Sequence, residues 1–158
     1  MAKKTEVKLV TCEIKREDYA KIKSKLKFAD GTVDEIGIIC TIEYLTADER
    51  IKFVNELYRV LKKGGKATIV TPYWCSNRAY TDLAVQWPPV AEGWFYHLRE
   101  EWRKVNNPIE KRYKCDFDFT LGYGMHPLIV NRNQDFQQDA IIFKKEAAQD
   151  MIATLIKR

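Results

Sequence analysis

Residues 33–72 read VDEIGIICTIEYLTADERIKFVNELYRVLKKGGKATIVTP, and this stretch decides the fold. From Val33 to Cys40 the chain is nearly continuous in apolar residues after Asp34-Glu35, the composition of a strand buried on both faces in a helix-covered parallel sheet. Thr46-Ala47-Asp48-Glu49 has the form of a capping box, in which the Thr46 hydroxyl accepts the Glu49 amide and Glu49 reaches back. Phe53, Val54, Leu57, Tyr58 and Leu61 then recur at helical spacing. Lys62-Lys63 suit the negative end of the helix dipole, and Gly64-Gly65 reads as the left-handed stop. Lys66 to Thr71 is a second short β-branched run, halted by Pro72. Strand, helix, turn and strand make a βαβ unit, whose crossover is right-handed in nearly all proteins.

Upstream, residues 6–14 read as a β-branched strand. Residues 17–27 place Tyr19, Ile22 and Leu26 on one helical face, and Asp30-Gly31 marks a turn. A second βαβ unit therefore leads into strand 33–40. Downstream, residues 73–94 form a long aromatic connection with Trp74, Trp87, Trp94 and Pro88-Pro89, holding one short helix near 77–85. Phe95, Leu98, Trp102 and Val105 again have helical spacing. Asp116 to Tyr123 alternates, with Phe117, Phe119, Leu121 and Tyr123 on one side, as a half-exposed antiparallel strand does. Residues 132–147 read as an amphipathic helix through Phe136, Ala140 and Phe143, and Met151 to Ile156 as a strand. The expectation is one α/β domain over 1–158: a basic strand-helix lead-in (1–27), a βαβ core (28–73), and the aromatic connection with the later strands (74–158). Strands 33–40 and 66–71 should be parallel neighbours at the centre, with 116–123 antiparallel to 151–156 near one edge. The expected core includes Phe28, Ile36, Ile38, Phe53, Leu57, Leu61, Ile69, Phe117, Phe119 and Ile152.

Composition narrows the function. With 46% hydrophobic and 12% aromatic residues, the chain has the material for a core, which excludes disorder as its main state. No apolar run approaches the ~18 residues of a membrane span. Residues 1–6 carry charge with no apolar run behind them, unlike a secretory signal. Cys12, Cys40, Cys75 and Cys115 show neither CxxC nor zinc spacing, so reduced thiols and a cytoplasmic location are expected. His97 and His126 are the two histidines, too few for a His-rich site, and no metal is expected. The net charge of +5 resides in residues 1–27. That excess is almost all lysine, without the arginine and aromatic interleaving of a nucleic-acid surface. It reads as a solvated helix face, with nucleic-acid association as the alternative.

Phe28, Asp30 and Asp34 before the first core strand, Glu43 after it, Arg59, Leu61, Gly64 and Gly65 at the following turn, and Thr71-Pro72 occur in the order and spacing of a known pattern. Residues 26–73 resemble the second half of class I S-adenosylmethionine-dependent methyltransferases, most of all the small-molecule "type 11" group. The resemblance implies a truncated Rossmann-like methyltransferase sheet, with a parallel centre and an antiparallel C-terminal strand pair. It implies S-adenosylmethionine as methyl donor and a small-molecule acceptor. Two features depart from the family. Its Gly-rich cofactor loop is absent, because the first glycine of this chain is Gly31. Its Glu-His pair is Glu43-Tyr44 here.

In open α/β sheets, sites lie beyond the carboxyl ends of the strands. Cys40, Thr41, Glu43, Tyr44, Tyr73 and Trp74 are therefore the candidate cofactor-binding residues. Glu43 either lines the site or hydrogen-bonds its own turn; Tyr73 and Trp74 either stack on a ring or pack the interior. Glu43 and His97 are the candidate catalytic groups, with His97 a general base near neutral pH or a partly exposed structural histidine. Arg78 and Asp82 read as an exposed local pair. Trp87-Pro88-Pro89-Val90 lacks the polar first residue and final aromatic of the motif used by base-amino methyltransferases. Three readings stand: a truncated or compact methyltransferase that still binds S-adenosylmethionine, either alone or completed by another chain; a non-catalytic methyltransferase-like module for oligomerisation or partner binding; and a nucleic-acid-associated protein. A homo-oligomer is expected, since the short lead-in leaves a strand edge or apolar helix face uncovered.

Overall fold

A computed structural model describes residues 11–23 and 25–158. The first part of the predicted 6–14 strand, with Lys3, Lys4 and Lys8, lies outside the described residues. The elements are β1 (Thr11–Ile14), α1 (Tyr19–Ile22), β2 (Val33–Ile39), α2 (Ala47–Val60), β3 (Leu61–Pro72), α3 (Glu92–Tyr96), α4 (Glu100–Asn106), β4 (Phe117–Met125), α5 (Gln134–Phe143) and β5 (Ala148–Lys157). They build a five-stranded sheet in the order β1-β2-β3-β5-β4. β1, β2 and β3 are parallel; β5 runs antiparallel to both β3 and β4. The expected parallel centre and the antiparallel pairing of 116–123 with 151–156 are both present.

α2 begins as the sequence dictates. The Thr46 hydroxyl accepts the Glu49 amide at 3.3 Å, and the Glu49 carboxylate accepts the Thr46 amide at 2.9 Å. Its end differs from expectation. The helix stops at Val60 and β3 starts at Leu61, so Lys62-Lys63 and Gly64-Gly65 belong to the strand and not to a helix cap. The orphan carbonyls of the last turn find donors far away in sequence. Gly31 and Thr32 donate their amides to Arg59 and Val60 at 3.0 Å each. The Lys157 ammonium donates to the Tyr58 and Leu61 carbonyls at 2.6 and 2.8 Å.

The Gly-Gly pair forms a bulge. The β2–β3 register jumps from Val33↔Leu61 to Glu35↔Lys66, and Gly64 takes up the slack at φ +77°. Gly65 sits so close to the turn that a Cβ there would meet the Lys62 carbonyl oxygen at 2.8 Å and the Asp34 carbonyl oxygen at 3.2 Å. Both are main-chain atoms that cannot swing away. Gly65→Ala is therefore expected to cost about 1–3 kcal/mol, measured by urea unfolding; a neutral substitution would show that the bulge relaxes freely.

One sheet face is buried. Across it, Ile36, Ala67, Leu155 and Phe119 align in one row, and Ile38, Ile69, Ala153 and Leu121 in the next. Against it pack Phe53, Val54, Leu57 and Val60 of α2. The opposite face stays accessible, which corrects the expectation that β2 is buried on both sides. There Ile39 and Ile152 are 39% and 37% exposed, so Ile152 leaves the predicted core. The reason is topological: the β1–β2 and β2–β3 crossovers step in the same direction, and right-handed crossovers that step together lie on one side. Phe28 and Phe119 are only partly buried; the other predicted core residues are buried.

Three helices are shorter than their periodicity suggests. The 17–27 segment is a 3₁₀ turn followed by α1, which ends at Ile22. The 95–105 pattern is split into α3 and α4. α5 spans Gln134–Phe143 and leaves Phe143 79% exposed. The helix expected near 77–85 is a single 3₁₀ turn, Asn77–Ala79.

Candidate active site at the carboxyl ends of the parallel strands

The chain leaves β2 through Cys40, a non-glycine residue at φ 47°. Such a conformation is held by its surroundings and marks a position worth explaining. Here the Cys40 amide donates to the Val70 carbonyl at 2.8 Å, so the turn is pinned to β3 as it departs. Thr41 is wholly buried and donates its hydroxyl to the Ile39 carbonyl at 2.8 Å. A 3₁₀ turn, Ile42–Tyr44, follows. It turns Glu43 inward and Tyr44 outward along one wall of an open cleft of about 690 Å³.

Glu43 is 3% exposed, and Thr71 donates its hydroxyl to it across 3.4 Å. Burial raises its carboxyl to about 7, with Asp150 pushing the same way; hydrogen bonding and the Arg50 guanidinium oppose the shift. Glu43 is thus a carboxyl poised to gain or lose a proton near neutrality. The Tyr44 hydroxyl donates to the Asp82 carboxylate at 3.1 Å, and the Arg16 guanidinium lies over its ring at 4.8 Å. Burial and the Asp82 contact raise this phenol to about 12. The Cys40 thiol is raised by burial and by Glu43, which keeps it protonated and a poor nucleophile.

The cleft brings Cys40, Glu43 and Tyr44 together with Arg16, Arg78 and Asp82. It does not gather the other candidates. Tyr73 is buried, donates its hydroxyl to the Glu92 carboxylate and packs edge-on against Tyr123. Trp74 lines a separate depression with Tyr80 and the end of α5. His97 caps α3, its ring against Trp102 at 4.6 Å and Tyr113 at 5.9 Å; burial lowers its pKa. It is not among the residues lining the cleft.

Arg78 and Asp82 do not pair with each other. Arg16 pairs with Asp82, and Arg78 pairs with Asp150 at 2.5 Å. Arg16 could have been found from sequence, because it follows β1 as Cys40 follows β2. Asp150 could not, since it reaches the site through the β3–β5 register, opposite Pro72. Its Oδ1 is buried with no hydrogen-bond partner. Among the described residues no cluster suits a metal ion, and no helix is long and apolar enough to cross a membrane.

Residues 1–69 match a family model described as a methyltransferase domain. Among solved structures, the fold is similar to a SAM-dependent methyltransferase from Archaeoglobus fulgidus, at 14% identity and a TM-score of 0.58 over 89% of this chain. This chain spans 64% of that protein's length. It is also similar to a SAM-dependent methyltransferase from Thermotoga maritima described as a possible histamine N-methyltransferase, at 14% identity and a TM-score of 0.54, over 97% of this chain and 83% of that one. None of the curated proteins matches the chain.

Proposed function

We propose, from the match of residues 1–69 to a methyltransferase domain and from the fold, that the chain is a class I S-adenosylmethionine-dependent methyltransferase whose cleft forms the acceptor side of a methyl-transfer site that a second copy completes. The observation that carries this reading is the placement of Glu43. Its buried carboxyl stands beyond the carboxyl end of a central parallel strand, where open α/β sheets bind ligands, and it lines a cleft whose other charged residues, Arg16, Arg78 and Asp82, are each held in an ion pair.

The described residues do not fit S-adenosylmethionine unaided. The segment after β1 reads Lys15-Arg16-Glu17-Asp18 and holds no glycine, so its backbone cannot come close to a ligand as a Gly-rich loop does. It also sets two carboxylates at the start of its turn, where a cofactor carboxylate would be repelled. Arg16 and Arg78 are already engaged by Asp82 and Asp150. What this chain supplies is the acceptor wall. Glu43 accepts a proton from a nucleophile docked against it, a role suited to a group titrating near neutrality. The Tyr44 ring beneath Arg16 gives a flat surface that orients the acceptor.

Assembly is supported by the accessible sheet face and by β1, the outer strand of the sheet as described. Strand edges and exposed apolar surface invite pairing. Leu83 and Trp87, in the connection beside the cleft, are 100% and 78% exposed. The second reading, a non-catalytic methyltransferase-like module in the cytoplasm, is favoured by the glycine-free segment after β1. Nucleic-acid association has less support, because Lys15, Arg16 and Lys23 are each paired with an acid.

Light scattering combined with calorimetry against S-adenosylmethionine tests the proposal. The mass is expected to exceed 18.5 kDa at micromolar concentration, and cofactor binding should strengthen with assembly. A mass fixed at the monomer value sinks the shared site. A monomer binding with Kd near 1 μM, about −8 kcal/mol, would show that the chain grips the cofactor alone. An assembled protein that never binds it selects the non-catalytic module.

A further inference from the structure

We infer that Arg50 is the positioning residue of the cleft, tying the Glu43 turn and the Gln86–Pro88 segment into one wall. Arg50 lies in the first turns of α2 and is 4% exposed. Its guanidinium donates to three main-chain carbonyls: Ile42 at 3.2 Å, Gln86 at 3.1 Å and Pro88 at 2.6 Å. The Gln86 amide then donates to the Glu43 carbonyl at 2.8 Å. The contacts close a ring from α2 to the Glu43 turn, across to the connection, and back to α2. A planar fork with several fixed donors suits this geometry; a single ammonium does not.

Burying a cation among neutral carbonyls is costly, and these carbonyls by themselves do not require a full charge. The charge acts on Glu43. Around that carboxyl, Arg50 from α2 favours the ionised form, as does the Thr71 hydroxyl from β3, while Asp150 from β5 opposes it. Cys40 and Tyr44 flank it, and Glu43 raises both. Tyr113 in turn acts on Arg50. Arg50 therefore sets both where Glu43 stands and how readily it ionises.

This inference rests on the cleft being the working site, but its test reads Glu43 directly and needs neither donor nor acceptor. The titration of the Glu43 side-chain carboxyl is followed by carbon NMR in the full chain, together with hydrogen exchange of the Gln86 amide. In Arg50→Gln the Glu43 midpoint is expected to rise by about half a unit or more, roughly a threefold loss of ionised form near the midpoint. Gln86 protection should fall about tenfold as the wall opens locally. Arg50→Lys keeps the charge and loses the fork, so Gln86 protection should fall while the midpoint stays closer to the parent value. Ile152→Ala, on the accessible sheet face and outside this ring, should leave both readouts in place. The inference stands only if both readouts move in Arg50→Gln and neither moves in Ile152→Ala. Should Arg50→Gln fail to fold, Arg50→Lys decides: unchanged Gln86 protection overturns the inference. Failure to bind S-adenosylmethionine would leave this result untouched.

Discussion

Leu57→Ala is expected to destabilise the protein by about 2–5 kcal/mol. Leu57 is fully buried on the inner side of α2, in the same cluster as Ile36, Ile38 and Ile69 of the central strands. Deleting its branched end removes contacts with both layers, and a rigid sheet on one side limits collapse of the cavity. Truncating Ile152, on the accessible face, should cost far less. Urea unfolding of both variants reports the contrast; a loss under about 1 kcal/mol for Leu57→Ala would mean that the buried face of α2 is misassigned.

Glu43 should leave its mark on the pH dependence of stability. Its carboxyl holds a proton up to about pH 7 in the folded chain, against an ordinary value of 4.5. Between these limits the folded state binds more protons than the unfolded state, so stability falls as pH rises through the window. Below pH 4.5 both states are protonated and the contribution is fully present; above pH 7 it is lost. The shift corresponds to at most about 3 kcal/mol. Glu43→Gln should abolish this slope and be the more stable protein at pH 8. Asp30, Glu56 and Glu110, held low by their arginine partners, act in the opposite sense at lower pH, and the difference between the two proteins isolates Glu43. Identical urea midpoints for the two from pH 5 to pH 8 would refute the assignment.

Much of the fold was legible because its signals are local. The Thr46–Glu49 capping box, the spacing of Phe53, Leu57 and the residues between, and the alternation from Phe117 to Tyr123 each report on neighbours within a few residues. The errors arose where meaning depends on distant partners. Gly64-Gly65 has the same composition whether it ends a helix or forms a bulge, and only the register against Val33 and Glu35 distinguishes the two. Ile152 looks like core until strand order shows which face the crossovers cover. At the site, Cys40, Glu43 and Tyr44 could be placed by the strand-end rule. Asp150 and Arg50 could not, since each arrives through contacts with residues far along the chain.

The position of β5 bears on how the protein is made. It is the latest described strand in sequence, yet it lies between β3 and β4, and its Lys157 closes the end of α2. During synthesis at about 5–20 residues per second, β3 waits on the order of ten seconds for its neighbour to emerge from the ribosome. Through that interval the earlier βαβ unit presents an unpaired inner edge and an uncapped helix. Pairings of such long sequence separation form slowly, so chaperone occupancy on the nascent chain should concentrate on β3 while β5 is still being translated.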